Sequence, residues 1–208
     1  MKKKGELSLG GQGYPTPSNQ CWPGGVPYVF WDFLLQIYQR PDHILMVYRQ
    51  GHELRHVRMD EPHPAQLVPS WYGDSVGHYE GDTLVIDTLG IKVGPYAMVD
   101  MYGTPHSPAL HVVERYRLRD YDDVKDAIER NKNENWLVVG DVFSTHRGKF
   151  LQLHLTIEDE GAFTSPWTAT LTYVPGPELL PEVVCAENRA QYYYHDDADV
   201  PAADKPDF

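Results

Sequence analysis

The chain has 208 residues, of which 41% are hydrophobic and 12% aromatic. This length and apolar content predict one folded domain with a core, and they exclude an intrinsically disordered chain. The formal net charge of −12 would repel phosphate backbones and anionic lipids, and the longest apolar runs are far too short to cross a bilayer. We therefore expect neither nucleic acid binding nor membrane insertion.

The composition changes at both ends of the chain. Residues 1–27 are rich in Gly, Pro, Ser and Asn with no sustained apolar period, which predicts an extended N-terminal arm. Residues 28–194 carry the regular patterns and are predicted to form a single domain. Residues 195–208 are acidic and rich in Pro and Ala, which is typical of a flexible tail.

Short segments rich in β-branched and aromatic residues, separated by turn residues, predict a mainly β fold. Closure into an antiparallel, lipocalin-like meander barrel removes exposed edges, whereas a Greek-key sandwich would need longer crossovers. The expected strands are 33–39, 44–49, 53–59, 76–79, 83–88, 110–118, 136–143, 151–157 and 167–173, with 182–193 closing the sheet or following its edge.

One helix is predicted at about 122–131. Val124, Ala127 and Ile128 form an apolar stripe there, and the aspartates at its start suit a helix N-terminus. We expect this helix to be a short insertion that caps one end of the barrel.

Two short motifs are set aside because of their context. His52 and His56 enclose an HExxH pattern, but in a strand the two histidines lie more than about 10 Å apart at ~3.3 Å per residue, too far to share a metal. Ser75 is the centre of a G-x-S-x-G pattern, but it precedes a strand instead of a helix. Neither a zinc peptidase nor a serine hydrolase is predicted, and no metal ligands are assigned.

The segment 71–88 reads WYGDSVGHYEGDTLVIDT. Further motifs are Pro105-His106-Ser107, Leu110-His111, Glu114-Arg115, Phe163-Thr164-Ser165-Pro166-Trp167-Thr168 and Cys185-Ala186-Glu187-Asn188. Together they resemble a large set of bacterial proteins of uncharacterised function that share a W-x-G-x-S-x-G-x-W-E-G-D-T-L-V-V-D-T pattern and a P-H-S-x-x-L-H-x-x-E-R pattern. The resemblance covers about 21–188 and departs from the usual pattern at Tyr79, where Trp is common.

Cys21 and Cys185 fit no metal or redox spacing, but they could form a disulfide in an oxidising compartment. The basic residues 1–4 are not followed by an apolar stretch, so either the protein stays inside the cell or a signal has been removed. The resemblance implies export, which would suit a Cys21–Cys185 bridge and a periplasmic location. It implies little about activity.

The segment 110–118 alternates between two faces. Glu114 shares one face with Leu110, while His111 and Arg115 point to the other. If Glu114 faces inward, burial would raise its pKa and fit it for proton transfer; if outward, it is an ordinary ion-pair partner. Because Glu114 and His111 lie on opposite faces, only one of them is expected to be catalytic.

The candidate catalytic groups fall into three roles. His106 or His111 would serve as the base, Glu114 or Asp87 as the acid or orienting carboxylate, and Arg115 as the stabiliser of developing negative charge. Aromatic residues would furnish either core or a ligand-stacking wall. The candidate ligand-binding residues are Tyr48, Trp71, Tyr79, Tyr102 and Trp167.

These residues predict a cofactor-independent enzyme of lyase, hydratase or isomerase type that acts on a small, partly apolar or aromatic substrate in the barrel cavity. One alternative is a lipocalin-like protein that binds a hydrophobic small molecule without transforming it. Another is a divalent-metal enzyme that uses His106, His111 and an acidic partner. The expected partner in every case is a small molecule.

Overall fold

The computed structural model of the chain describes residues 16–17, 22–31, 34–49, 53–94, 97–133, 145–176 and 180. The strands predicted at 136–143 and 182–193 and the tail at 195–208 lie outside the described residues. Cys21 and Cys185 also lie outside them, so the disulfide stays a prediction.

Eight strands form one sheet in which spatial order follows sequence order, and the sheet curls into a half-barrel. This confirms the predicted mainly β, barrel-like fold. The strands are β1 (Leu35–Gln39), β2 (His43–Tyr48), β3 (Glu53–Met59), β4 (Asp74–Glu80), β5 (Thr83–Leu89), β6 (His111–Arg119), β7 (Phe150–Glu158) and β8 (Trp167–Tyr173).

One strand pair departs from the antiparallel meander. β3 and β4 run parallel, with Val57 opposite Ser75, whereas the other neighbouring pairs are antiparallel. Parallel neighbours need a connection of about a dozen residues or more, because the chain must return to the end at which the first strand began. The connection 60–73 has that length, and this one parallel pair interrupts the otherwise antiparallel meander.

The core lies on the inner face of the curl. Strand residues alternate between the inner and outer faces, and most inner side chains of β2 to β7 are buried, whereas Tyr79 and Leu118 near strand ends are exposed. A short 3-10 turn (Tyr28–Trp31) precedes β1 and adds Val29 and Phe30 to this core, together with Val26. Each of these three side chains is at most 3% exposed, and Val26 brings the end of the predicted N-terminal arm into the core.

The predicted helix is confirmed as α1 (Tyr121–Asn133). Val124 and Ile128 pack against Phe150, the first residue of β7. Asp122 and Asp123 lie in the first turn, where negative charge favours the helix dipole. In the described part of the chain, no helix is both long and apolar enough to span a membrane.

Candidate functional site

Glu114 lies inside the curled sheet, not on its outer face. It is fully buried on β6, and it accepts two hydrogen bonds from Arg55 of β3, at 2.9 Å from Nη1 and 2.6 Å from Nη2. The hydroxyl of Tyr116 donates a third at 2.9 Å. Arg55 is itself only 1% exposed, so water does not solvate either charge and the two charges compensate each other.

The remaining donors of Arg55 are also satisfied. Its Nε donates to the Ser75 hydroxyl at 3.0 Å, and Nη2 donates to the Thr88 hydroxyl at 2.7 Å. Burial, followed by the charge of Glu114, raises the pKa of Tyr116 well above its ordinary value, so this hydroxyl stays protonated. The Glu114 carboxylate therefore has the contacts of a structural ion pair, with no side open to a substrate.

A second polar cluster lies on the outer face of the same strands. Asp87 of β5 accepts a hydrogen bond from Nε2 of His111 at 2.8 Å, and its other oxygen accepts one from Nε2 of His63, also at 2.8 Å. His63 belongs to the connection 60–73, while His111 is the first residue of β6. One carboxylate thus joins two imidazoles.

Each imidazole of this cluster has a second carboxylate on its other nitrogen. His63 Nδ1 lies 2.6 Å from Asp74, and His111 Nδ1 lies 3.2 Å from Glu158. Ionised carboxylates only accept hydrogen bonds, so an imidazole between two of them satisfies both when both its nitrogens carry protons. We call these five side chains, Asp74, His63, Asp87, His111 and Glu158, the outer cluster.

The charges of the outer cluster act on each other's protonation. The hydrogen bond to Asp87 raises the pKa of His111, and burial opposes it only in part. Burial acts to raise the pKa of Asp87, but the bonds from His111 and His63 outweigh it and leave that pKa below its usual range. The proton is therefore held on the imidazole and kept off the carboxylate.

Exposure separates the two clusters. The side chains of His111 and Asp87 are 28% and 35% exposed, whereas Glu114 is completely buried. A small molecule in solution can reach the first pair without unfolding the sheet. Between the two acidic candidates, the accessible one is Asp87.

Two other predicted catalytic residues lie apart from Asp87. Arg115 is on the outer face of β6 and pairs with Glu80 at 2.6 Å. His106 is buried beside the end of the N-terminal arm, and its Nδ1 donates to the Ser107 carbonyl at 3.0 Å. It lines a pocket of about 10 Å³ with Trp71, which is room for about one water molecule.

The P-H-S motif has a structural role at Ser107. Asp159 accepts hydrogen bonds from the Ser107 amide at 2.6 Å and from its hydroxyl at 2.5 Å. The Gly161 amide donates to the same carboxylate at 3.0 Å. These bonds tie the segment before β6 to the turn after β7.

The five aromatic candidates do not meet in one cavity. Tyr48 is buried in the core and stacks on Tyr72 with 6.0 Å between ring centroids. Tyr79 and Tyr102 are more than half exposed. Trp71 and Trp167 are partly buried, and each has its own aromatic neighbour: Trp22 for the first, Phe163 for the second.

A separate groove of about 210 Å³ lies where the ends of β1 and β8 approach each other. Its lining is mostly apolar, and the side chains there that carry polar groups are those of Lys149, Gln36 and Tyr173. None of the predicted site residues lines it.

Several polar residues of these clusters were not predicted as site residues, among them Arg55, His63, Asp74 and Glu158. Arg55 shares a strand face with Val57 and Met59, and this period of two is the signal that would have placed it inside. Asp74 lies on β4, two residues from Val76, which pairs with Asp87 in the β4–β5 hairpin. His63 carries no such signal, because it lies in the connection 60–73. In the described part of the chain, no three His, Cys, Asp or Glu side chains are arranged to hold a metal ion.

The described residues of the two excluded motifs lie in strands or next to one, and His52 lies outside the described residues. Glu53 and His56 lie in β3, and Ser75 is buried in β4. Comparison with family models, curated proteins and solved structures gave no match to this chain. The resemblance to the bacterial family therefore stays a prediction from the motifs.

Proposed function

We propose that the protein is a cofactor-independent enzyme of lyase, hydratase or isomerase type, in which Asp87 and His111 transfer a proton to or from a small molecule. The observation that supports this is the 2.8 Å contact between the two side chains at a partly exposed position. A general acid or base must lie within hydrogen-bonding reach of its partner and be accessible to substrate. The pair meets both conditions.

The two nitrogens of His111 have different roles in this proposal. Nε2 donates to Asp87 at 2.8 Å, so the carboxylate orients the ring and stabilises its positive charge. Nδ1 faces Glu158 at a longer 3.2 Å, and Glu158 is half exposed. A substrate atom can take the place of Glu158 beside Nδ1. When Nδ1 carries a proton, His111 can act as an acid and donate it to the substrate. When Nδ1 is deprotonated, His111 can act as a base and accept a proton from the substrate.

The surroundings of the pair suit a partly apolar substrate. Val113 lies opposite Asp87 in the β5–β6 pairing, on the same outer face as His111. Glu114, Arg115 and His106 are left out of the proton-transfer unit, because their contacts are with other partners.

The test is conversion of a fractionated metabolite library, followed by mass spectrometry, for the wild-type protein and the His111→Gln variant. The matched control is His154→Gln, since His154 is also exposed on the sheet and bonds only to Thr170 among the contacts described. The proposal predicts a compound that is depleted with a new product by wild type and control, and not by His111→Gln. Equal depletion by all three proteins, or no depletion by wild type, would reject it.

A binding role is the second candidate, favoured by the groove between β1 and β8. Its volume of about 210 Å³ is below the ~300 Å³ at which ligand pockets usually begin, so it suits only a small apolar compound. The same library would then show a compound retained unchanged by wild type. Leu118→Glu, which places a charge at the exposed edge of this groove, would abolish that retention.

A further inference from the structure

The groove between β1 and β8 lies where the curled sheet is open. The strand order runs from β1 to β8, and in the described part of the chain no strand pairs with the free edge of either. Two contacts hold the edges beside each other: the Tyr173 hydroxyl donates to the Phe30 carbonyl at 2.9 Å, and a β-carbon at Gly176 would lie 3.1 Å from Cδ2 of Leu34. The groove therefore has two walls that the fold itself positions.

The walls of the groove are apolar and partly open to water. Leu35, Leu151 and Tyr173 pack against the core of the sheet. Leu118 lies opposite Leu151 in the β6–β7 pairing, and it is 61% exposed at the rim of the groove. Covering an exposed apolar side chain with another apolar group is favourable, because both lose contact with water. These residues therefore suit a hydrocarbon chain.

Lys149 is the one charged side chain among the described residues that line the groove. It directly precedes β7, and its ammonium contacts the Asp120 carboxylate at 2.8 Å. Both side chains are more than half exposed, and Asp120 does not line the groove. Exposed ion pairs contribute little to stability, and an ammonium has three hydrogen-bond donors. Lys149 can therefore bind a carboxylate in the groove, with Asp120 in place or displaced.

The size of the groove limits the length of the hydrocarbon chain. Its volume is about 210 Å³, and a water molecule takes up ~30 Å³ of the liquid, so the groove holds about seven groups of that size. We propose that the groove binds an aliphatic carboxylate of about six carbons, with its chain against Leu118 and Leu151 and its head group on the Lys149 ammonium. The carboxylate site rests on the binding role proposed for this groove and is independent of the chemistry of Asp87 and His111.

The charge of Lys149 decides between possible head groups. An amphiphilic ammonium would be repelled by the Lys149 ammonium, whereas an alcohol could accept a hydrogen bond but lacks the attraction of opposite charges. The net charge of −12 opposes any anion, but physiological salt screens it beyond ~8 Å. Three compounds with the same hydrocarbon chain separate the effect of the head group from that of the chain: hexanoate, hexan-1-ol and hexylammonium.

The experiment follows the backbone amide chemical shifts of the full chain by NMR while each compound is added at neutral pH and constant ionic strength. We expect hexanoate to shift the amides of Leu118, Leu151 and Tyr173 to saturation and to bind more tightly than the other two compounds. Lys149→Met keeps an apolar side chain but removes the charge, so it should weaken hexanoate binding about fivefold and leave hexan-1-ol binding unchanged. The matched control is Lys125→Met, which removes a half-exposed lysine of α1 outside the groove.

Each outcome separates the carboxylate site from the binding role of the groove. Weaker hexanoate binding by Lys149→Met, with Lys125→Met equal to wild type, supports the carboxylate site. If hexan-1-ol or hexylammonium binds wild type as tightly as hexanoate, or if Lys149→Met binds hexanoate as tightly as wild type does, the carboxylate site is rejected while the groove still binds an apolar chain. If none of the three compounds shifts the amides of the groove, the carboxylate site and the binding role are both rejected.

Discussion

Arg55 and Glu114 stand 59 positions apart in the sequence, yet their side chains form a two-point ion pair inside the sheet, each at most 1% exposed. The strands between them, β4 and β5, contribute hydroxyls from Ser75 and Thr88 to the same guanidinium. The Arg55 side chain on β3 thus forms hydrogen bonds to β4, β5 and β6. The pair requires this strand order and register, since a slip of one residue would turn either charge to the outer face.

Removing one member of the buried Arg55–Glu114 pair should destabilise the folded protein. Glu114→Gln leaves Arg55 charged and uncompensated, and breaking a buried pair in this way costs about 3–5 kcal/mol. We expect the free energy of unfolding, measured by urea denaturation, to fall by that amount. The double variant Arg55→Met with Glu114→Leu removes both charges and should be more stable than Glu114→Gln.

The control for this prediction is Arg115→Gln, which breaks an exposed pair one position along the same strand. Exposed pairs contribute little to stability, so this variant should stay close to wild type. If Glu114→Gln unfolds no more easily than Arg115→Gln, the buried pair does not stabilise the sheet.

The local patterns of the sequence predicted most of the fold. The alternation at 110–118 gave both the strand β6 and the two faces that Glu114 and His111 occupy, because side-chain direction in a strand is fixed by parity. The parallel pairing of β3 with β4 was not predictable in this way. It depends on the path of the connection 60–73, for which composition indicates only a loop.

The candidate site was predicted in part. Asp87 and His111 were both named from the sequence, and the β5–β6 pairing brings them into contact. The second imidazole bound to Asp87, that of His63, lies in a loop whose position depends on that same crossover. Sequence reasoning also kept Glu114 as a catalytic candidate, because nothing local shows that Arg55 satisfies it.

Two glycines give a matched test of the turns around β4. Gly73 and Gly81 both have positive φ, 66° and 64°. A β-carbon at Gly73 would lie 2.5 Å from the Leu89 carbonyl oxygen, whereas one at Gly81 would meet nothing within 4 Å. Gly81→Ala should therefore cost only the left-handed conformation, about 1–2 kcal/mol, and Gly73→Ala about 1–3 kcal/mol more from the clash. Thermal unfolding of the two variants checks this, and equal losses would contradict it.

The pH dependence of stability should reveal the Asp87–His111 contact. The pKa of His111 is raised in the folded protein, so its stabilisation is complete below about pH 6.5, the value of a free imidazole, and is lost as pH rises through the higher folded value. The difference in unfolding free energy between wild type and His111→Gln should shrink across that range. His154→Gln serves as the comparison, and a His111→Gln difference that is constant from pH 6 to pH 9 would argue against the contact.

The contribution of Asp159 to stability should depend on pH in the acid range. Burial acts to raise its pKa, but the bonds from Ser107 and from the Gly161 amide outweigh it and leave the pKa below its usual range. Its stabilisation is then complete above about pH 3.9 and is lost as pH falls through the lower folded value. Ser107→Ala should reduce this acid sensitivity, as seen in unfolding curves between pH 5 and pH 2. If Ser107→Ala loses as much stability as wild type between pH 5 and pH 2, the Ser107 hydroxyl does not set the pKa of Asp159.

The most direct test of the proposed acid–base chemistry is the Asp87→Asn variant in the metabolite conversion assay, at the pH where wild type is most active and with folding verified first. The asparagine keeps the size of the side chain but removes the charge that orients and stabilises the His111 imidazolium. We expect wild type to consume a small molecule and Asp87→Asn to do so at least about a hundredfold more slowly, a typical contribution of general acid–base catalysis. Conversion by Asp87→Asn at the wild-type rate would contradict this expectation.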